Sequence, residues 1–218
     1  MPLAIGLVRH GHSAAQEARE MAERAGQLHF TFDPSDALAP LSDLGRLQSR
    51  RLGEWMLEQG MAASEVITSP YKRTVETAEL VAAAARLPPE LVLEKALVEI
   101  GWGEFEGLTR AGRRAHFPEP FARWRADKFN NGPPGGESWN AVAERVRPVA
   151  ERALRMNGLV LIVCHEVTVK CLRYVLEGKS AEETLALADV PNASLTLYRR
   201  EAAGLLLELE NFVPPDEG

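Results

Sequence analysis

The chain is poor in cysteine. Two thiols, Cys164 and Cys171, stand among 218 residues, seven positions apart and in no C-x-x-C pattern. That excludes a disulfide framework and a zinc knuckle, and leaves two reduced core thiols as the expectation. Positive charge is also short: 25 Lys and Arg face 31 Asp and Glu, a formal charge of −6. An acidic balance argues against nucleic acid or an anionic membrane as partner. No apolar run reaches the length of a membrane span, and no basic stretch followed by an apolar one opens the chain. There is no internal repeat. A soluble, cytoplasmic protein is expected.

Apolar residues, by contrast, are present in the usual measure. At 45% hydrophobic and 26% charged, the composition is that of a globular protein large enough for one sizeable core. Any anionic ligand must be drawn in by local basic residues against the field of the whole chain. The position of each arginine is therefore more informative than their number.

Strand-like and helix-like segments alternate. Leu3 to Val8 reads as a doubly covered strand. Residues 14–25, closed by Gly26, read as a helix, and residues 27–40 as a loop excursion. Ser42 caps a helix whose apolar stripe is Leu44, Leu47, Leu52, Trp55 and Met56, expected in the core. Glu65 to Pro70 is a short strand leading into a turn, a helix runs from Tyr71 to about Arg86, and Pro88-Pro89 breaks the chain. Residues 91–97 are extended, and 98–107 form a glycine-interrupted loop in which Trp102 and Phe105 read as core packing. Helical sequence over 109–127 is interrupted near Pro118 and Pro120, and a loop follows at 130–136. Ser138 to Met156 is helical, with Pro148 expected to kink or break it. Leu159 to Val163 is a second fully apolar strand, followed by a helix over 167–177. Residues 193–199 and 205–210 read as late strands, and the tail after Phe212 is expected to fray. This alternation predicts α/β architecture: a single-domain, three-layer α/β/α sandwich, its central sheet largely parallel with one antiparallel edge strand. The whole chain, 1–218, is expected to be one catalytic domain, with residues 14–40 as a lid or specificity insertion.

The first strand and the strand at 159–163 share one feature, since each ends in a histidine: His10 and His165. In open α/β sheets, ligands sit at the carboxyl ends of strands. Arg9 adjoins His10, and Arg73 opens a helix after another apolar strand, where backbone N–H groups also favour an anion. An imidazole is a competent nucleophile or base near neutral pH, and guanidinium groups clamp tetrahedral oxyanions through two oxygens. If the sheet is parallel, two Arg and two His surround one point, a pocket that fits a tetrahedral dianion. Weaker readings compete. His10-x-His12 could be a metal pair, but no carboxylate cluster accompanies it. Cys164-His165 could be a reactive thiol, but no arginine follows at loop distance. Gly101-x-Gly103 with Gly107 is a poor dinucleotide motif.

Six blocks now line up with a known family. Leu7-Val8-Arg9-His10-Gly11 resembles the Arg-His-Gly signature of the histidine phosphatase superfamily, also called phosphoglycerate mutase-like. Pro40 to Gly45, Thr68 to Ala78, Glu99 with Gly103, Glu106 and Gly107, Gly135 to Ser138, and Leu161 to His165 resemble its further blocks, in the family's order. The resemblance implies a phosphoric monoester hydrolase that needs no metal ion and no cofactor. His10 would carry the phosphoryl group as a phosphohistidine, and Glu99 would be the proton donor and acceptor. Arg9, Arg73, His165 and Ser13 would bind the phosphate, with a protonated His165 helping to replace a metal ion. The partner would be a small phosphomonoester, and a homodimer is compatible with the reading. A phosphoglycerate mutase-type phosphotransferase and a non-catalytic phospho-ligand-binding protein are the alternatives. The chain departs from the family's pattern at His12, at Ala14-Ala15-Gln16 and at Glu166-Val167. The second of these argues against a mutase. A carboxylate at Glu166 would repel a phosphate unless it points away or pairs with an arginine.

Overall fold

The structure, a computed structural model, describes residues 4–33, 35–87 and 90–215. Leu3, the Pro88-Pro89 break and the last three residues of the tail lie outside the described residues. The strands are β1 (Ala4–Arg9), β2 (Ala63–Thr68), β3 (Leu91–Leu93), β4 (Leu159–Cys164), β5 (Leu195–Glu201) and β6 (Gly204–Phe212). The helices are α1 (Ala14–Arg24), α2 (Asp43–Glu58), α3 (Lys72–Ala84), α4 (Arg110–His116), α5 (Pro118–Ala126), α6 (Trp139–Leu154), α7 (Glu166–Glu177) and α8 (Ala181–Leu185). One sheet has the order β3-β2-β4-β1-β5-β6. The first four strands pair in parallel, and β5 runs antiparallel to β1 and to the edge strand β6.

Strand β4 shows why three layers form. Its residues alternate between two cores: Val160, Ile162 and Cys164 face one, Leu159, Leu161 and Val163 the other. A strand buried on both faces must be apolar at every position, and this one is. Helices α6 and α7 cover the first face through Val142, Val146, Val169 and Leu172. Helices α2 and α3 cover the second through Leu52, Met56, Ala78 and Val81. The register pairs Arg9 with Cys164 and Thr68 with Val163, so β1, β2 and β4 end side by side. Whatever follows Arg9, Thr68 and Cys164 in sequence therefore meets at one end of the sheet.

Helix α2 corrects the expected stripe. Leu44 and Leu47 are 52% and 43% exposed, whereas Gly45, Ser49, Leu52, Gly53 and Met56 form its buried face. Leu52, Trp55 and Met56 bear out the stripe, whereas Leu44 and Leu47 do not, because the first turns make their contact through small residues. A Cβ on Gly45 would lie 2.0 Å from the His12 carbonyl oxygen, and one on Gly11 2.5 Å from that of Gly45. The α2 backbone is pressed against the turn after β1 at a distance that admits only glycine. Helix α6 continues through Pro148 without a break. Helix α8, opened by a Ser180–Glu183 capping box, was not foreseen. Among the described residues, no helix is long and apolar enough to cross a membrane.

Candidate active site

The strand ends line an open cleft with Arg9, His10, Ser13, Arg73 and Glu99 in its walls. His10 extends the ladder one residue past β1, its N–H bonding the Cys164 carbonyl at 3.0 Å. Its Nδ1 lies 2.7 Å from the Gly11 carbonyl oxygen. A carbonyl only accepts, so Nδ1 holds the ring proton and Nε2 carries the lone pair. The Arg73 Nε donates to that Nε2 at 3.3 Å. Burial, followed by the charges of Arg73 and Arg9, holds the His10 pKa well below its usual 6.5. The imidazole is therefore neutral near pH 7, with its basic nitrogen accepting from Arg73.

His165 caps the start of α7 and is completely buried. Its ring meets that of His10 edge-on at 5.2 Å and that of Tyr71 at 5.1 Å. The Tyr71 N–H donates to Ser69 Oγ at 3.4 Å, and Ser69 Oγ lies 3.0 Å from His165 Nε2. With the serine proton on Nε2, the imidazole proton sits on Nδ1, which is buried and has no hydrogen-bond partner among the described residues. Burial, then Arg73 and His10, push the His165 pKa well below 6.5, which opposes the protonated form expected beside a phosphate. Only an incoming dianion would favour its protonated form.

Arg9 pairs through NH1 with Glu166 Oε2 at 3.2 Å and also donates to the Val190 carbonyl. Glu166 thus meets its arginine, with Lys170 on its other oxygen at 3.4 Å. Arg73 donates NH1 to the Asp36 carbonyl at 2.7 Å and NH2 to its carboxylate at 2.9 Å. Asp36 thus holds one edge of the Arg73 guanidinium. Ser13 is buried and caps α1 by accepting from the Gln16 N–H at 3.2 Å.

Glu99 reaches the cleft from the loop after β3. Burial raises its pKa, opposed by the Ile100 N–H and by Arg73 and Arg9. The loop is clamped from behind by Arg145, which donates to the carbonyls of Ala96 at 2.5 Å, Val98 at 2.9 Å and Glu99 at 3.2 Å. Arg145 is in turn held by Glu137 at 2.9 Å, and Glu137 Oε2 accepts the Gly101 N–H at 2.8 Å. One ion pair from the Gly135–Ser138 block and α6 thus sets the backbone on both sides of Glu99.

His12 is not part of the cleft. Its Nδ1 lies 2.8 Å from Ser42 Oγ and its Nε2 3.5 Å from Glu20, so its ring ties the turn after β1 to the cap of α2. It shares no ligand position with His10, and the metal-pair reading falls. Cys164 is buried with its pKa pushed upward, the opposite of a reactive thiol. Phe105 packs in a core with Phe121 and Trp124, and Trp102 packs against that core while also lining the cleft, so the core-packing expectation holds for Phe105 and in part for Trp102. Sequence reasoning missed Asn192, whose side chain donates to the His10 carbonyl at 2.9 Å from a loop 182 residues away. It also missed Asp36, Gln16, Arg19 and Arg113 in the cleft wall. None of these belongs to a block that the sequence alone marks out.

A strand-end histidine flanked by two arginines, with a carboxyl group opposite, is an anion-handling centre of one known type. The chain belongs to the histidine phosphatase superfamily (branch 1), whose family model matches residues 5–212. The chicken (Gallus gallus) protein 6-phosphofructo-2-kinase/fructose-2,6-bisphosphatase is 34% identical over 182 residues, covering 84% of this chain and 34% of that protein. The human 6-phosphofructo-2-kinase/fructose-2,6-bisphosphatase 1 is 32% identical over the same share of both. The chain thus spans about a third of the length of these relatives. Among solved structures, a putative alpha-ribazole-5'-P phosphatase from Escherichia coli superposes with a TM-score of 0.78 at 21% identity, covering 99% of this chain and all of the other. A mycobacterial glucosyl-3-phosphoglycerate phosphatase superposes with a TM-score of 0.75 at 23% identity, covering 96% and 98%. Both share the fold.

Proposed function

We propose that this chain hydrolyses small phosphomonoesters through a phosphohistidine on His10. The observation that carries the reading is the state of that ring: proton fixed on Nδ1 by Gly11, lone pair on Nε2, where it accepts from Arg73 Nε in the wall of the cleft. Nε2 attacks phosphorus as the bond to the ester oxygen breaks, and Glu99, protonated, gives its proton to the leaving alkoxide. Water then attacks phosphorus, Glu99 takes its proton, the P–N bond breaks, and inorganic phosphate leaves. The Arg73 edge held by Asp36 passes to the phosphoryl oxygens, and His165 Nδ1 supplies a further donor. The two guanidinium groups offset the charge that a metal ion would otherwise offset. The phosphatase names of the relatives support hydrolysis as the outcome.

The test is His10→Ala. The wild-type protein should hydrolyse p-nitrophenyl phosphate in the presence of a chelator and yield an acid-labile phosphoenzyme; the variant should do neither. Undiminished turnover in the variant would overturn the assignment. Rapid exchange between 2- and 3-phosphoglycerate with slow hydrolysis would replace it with a mutase, and phosphate binding without a phosphoenzyme with a binding protein.

A further inference from the structure

We propose that Thr77, Gln48 and Asn192 are positioning residues for the reaction: they hold the two peptide groups around Gly11, and so keep the Gly11 carbonyl against His10 Nδ1. This rests on the phosphatase reading, which needs the His10 lone pair on Nε2, and names the residues that keep it there.

The proton on His10 Nδ1 has one acceptor, the Gly11 carbonyl oxygen at 2.7 Å. Arg73 Nε, 3.3 Å from Nε2, favours the same tautomer, but it must yield its place when Nε2 turns to phosphorus. The Gly11 carbonyl is the partner that can stay throughout. Glycine is the residue least able to hold a carbonyl in one direction, because its backbone is the most permissive. Yet position 11 admits no side chain, since a Cβ there would lie 2.5 Å from the Gly45 carbonyl oxygen. The direction must be imposed by what the neighbouring peptide groups bond.

Three side chains from separate parts of the chain do this. The peptide joining His10 to Gly11 is held on both sides. Its carbonyl accepts from Asn192 Nδ2 at 2.9 Å, and its N–H donates to Thr77 Oγ1 at 3.0 Å. The next peptide, which carries the Gly11 carbonyl, is held through the His12 N–H, a donor to Gln48 Oε1 at 2.9 Å. Thr77 is completely buried in α3, and its own hydroxyl proton goes to the Arg73 carbonyl at 2.7 Å. One hydroxyl thus ties the turn after His10 to the backbone of Arg73. Beside Asn192, Ala193 has φ 51°, a left-handed conformation that is costly outside glycine. Such strain persists where surrounding bonds over-determine the backbone. Here it aims the Ala193 N–H at the Arg9 and His10 carbonyls, at 3.1 Å and 3.3 Å. Among the described residues, none of the three side chains lines the cleft, so each acts through His10.

The experiment follows the His10 Nδ1 proton by NMR of the full chain labelled with ¹⁵N in histidine, the signal being identified by its loss in His10→Ala. In the wild-type protein this proton should exchange slowly with water. Thr77→Val, Gln48→Met and Asn192→Ala each remove one partner, and each should speed the exchange about tenfold, the order of one hydrogen bond. The backbone amides of β1 should keep their wild-type exchange, which a general loosening of the fold would not allow. Phosphoenzyme formation from p-nitrophenyl phosphate should slow about tenfold in the same variants, with KM little changed. Thr77→Ser keeps the hydroxyl and should keep wild-type exchange and rate. Thr77→Val leaves a buried N–H unpaired; if it does not fold, Gln48→Met and Asn192→Ala, at half-buried positions, decide. Unchanged Nδ1 exchange in the folded variants, β1 amides that speed equally, or a Thr77→Ser protein as impaired as Thr77→Val overturns the proposal. The exchange is read without turnover. If the wild-type protein forms no phosphoenzyme, the phosphatase reading fails, and the positioning role still stands or falls on the His10 proton.

Discussion

At the scale of single residues, the chemistry turns on two groups whose ionisation is set by burial. His10 is kept neutral and Glu99 is kept protonated to a higher pH than an ordinary carboxylate. The two shifts favour the same step, since the nucleophile must be free of a proton and the acid must hold one. The acidic limb of kcat/KM should therefore lie below pH 6.5, where His10 begins to protonate. The alkaline limb for alkyl phosphates should follow loss of the Glu99 proton. Replacing Glu99 with Gln should slow alkyl phosphates by about 100-fold or more, the scale of general acid catalysis, and should abolish that alkaline limb. Nitrophenolate leaves without a proton, so p-nitrophenyl phosphate should lose far less. Equal losses on both substrates, in a pH-rate comparison, would remove Glu99 from the acid role.

At the scale of elements, the pair Arg145–Glu137 connects α6 to the Glu99 loop through three carbonyls and one N–H. Its side chains are 21% and 31% exposed, so water weakens the pair but does not replace it. Arg145→Met would strand the three carbonyls and the Glu137 charge, and should cost about 2–4 kcal/mol of stability. Because the loop carries the proposed proton donor, the kinetic signature should resemble that of Glu99→Gln: alkyl phosphates fall by about tenfold more than p-nitrophenyl phosphate. A uniform loss across leaving groups, with Arg145→Lys no better, would make the pair a purely structural brace. The block Gly135–Ser138 was legible in sequence only as a resemblance; its attachment to Glu99 was not, because it joins residues 36 apart.

For the whole molecule, two buried neutral histidines couple stability to pH. Their pKa values are depressed in the folded state, so unfolded chains bind more protons on acidification. The stability they contribute is complete above about pH 6.5, the ordinary histidine value, and is lost progressively as pH falls below it. Glu99 works in the opposite direction, since its raised pKa favours the folded state at low pH. The wild-type Tm should drop from pH 7 to pH 5 by more than that of His165→Asn, as read by calorimetry. Inorganic phosphate should reduce the drop, since a dianion bound in the cleft favours the protonated rings. An equal drop in both proteins would show that these histidines do not govern acid stability.

The α/β order, the doubly apolar strands β1 and β4, the strand-end histidines and the glycine turn were readable from residues in line, because they depend on periodicity and on local backbone geometry. The two arginines and Glu99 could be named from blocks resembling a family, each block being contiguous. The buried face of the first turns of α2 could not be read, since hydrophobicity points to Leu44 and Leu47 while close packing selects Gly45 against His12, and Ser49. Nor could the partners of charged groups. Asp36 on Arg73, Glu166 on Arg9 and Asn192 on the His10 carbonyl arise only when distant segments are folded onto one sheet edge. Local sequence limits what each side chain can do; which charges are neutralised, and which stay open for a ligand, depends on distances that exist only after the chain has closed on itself.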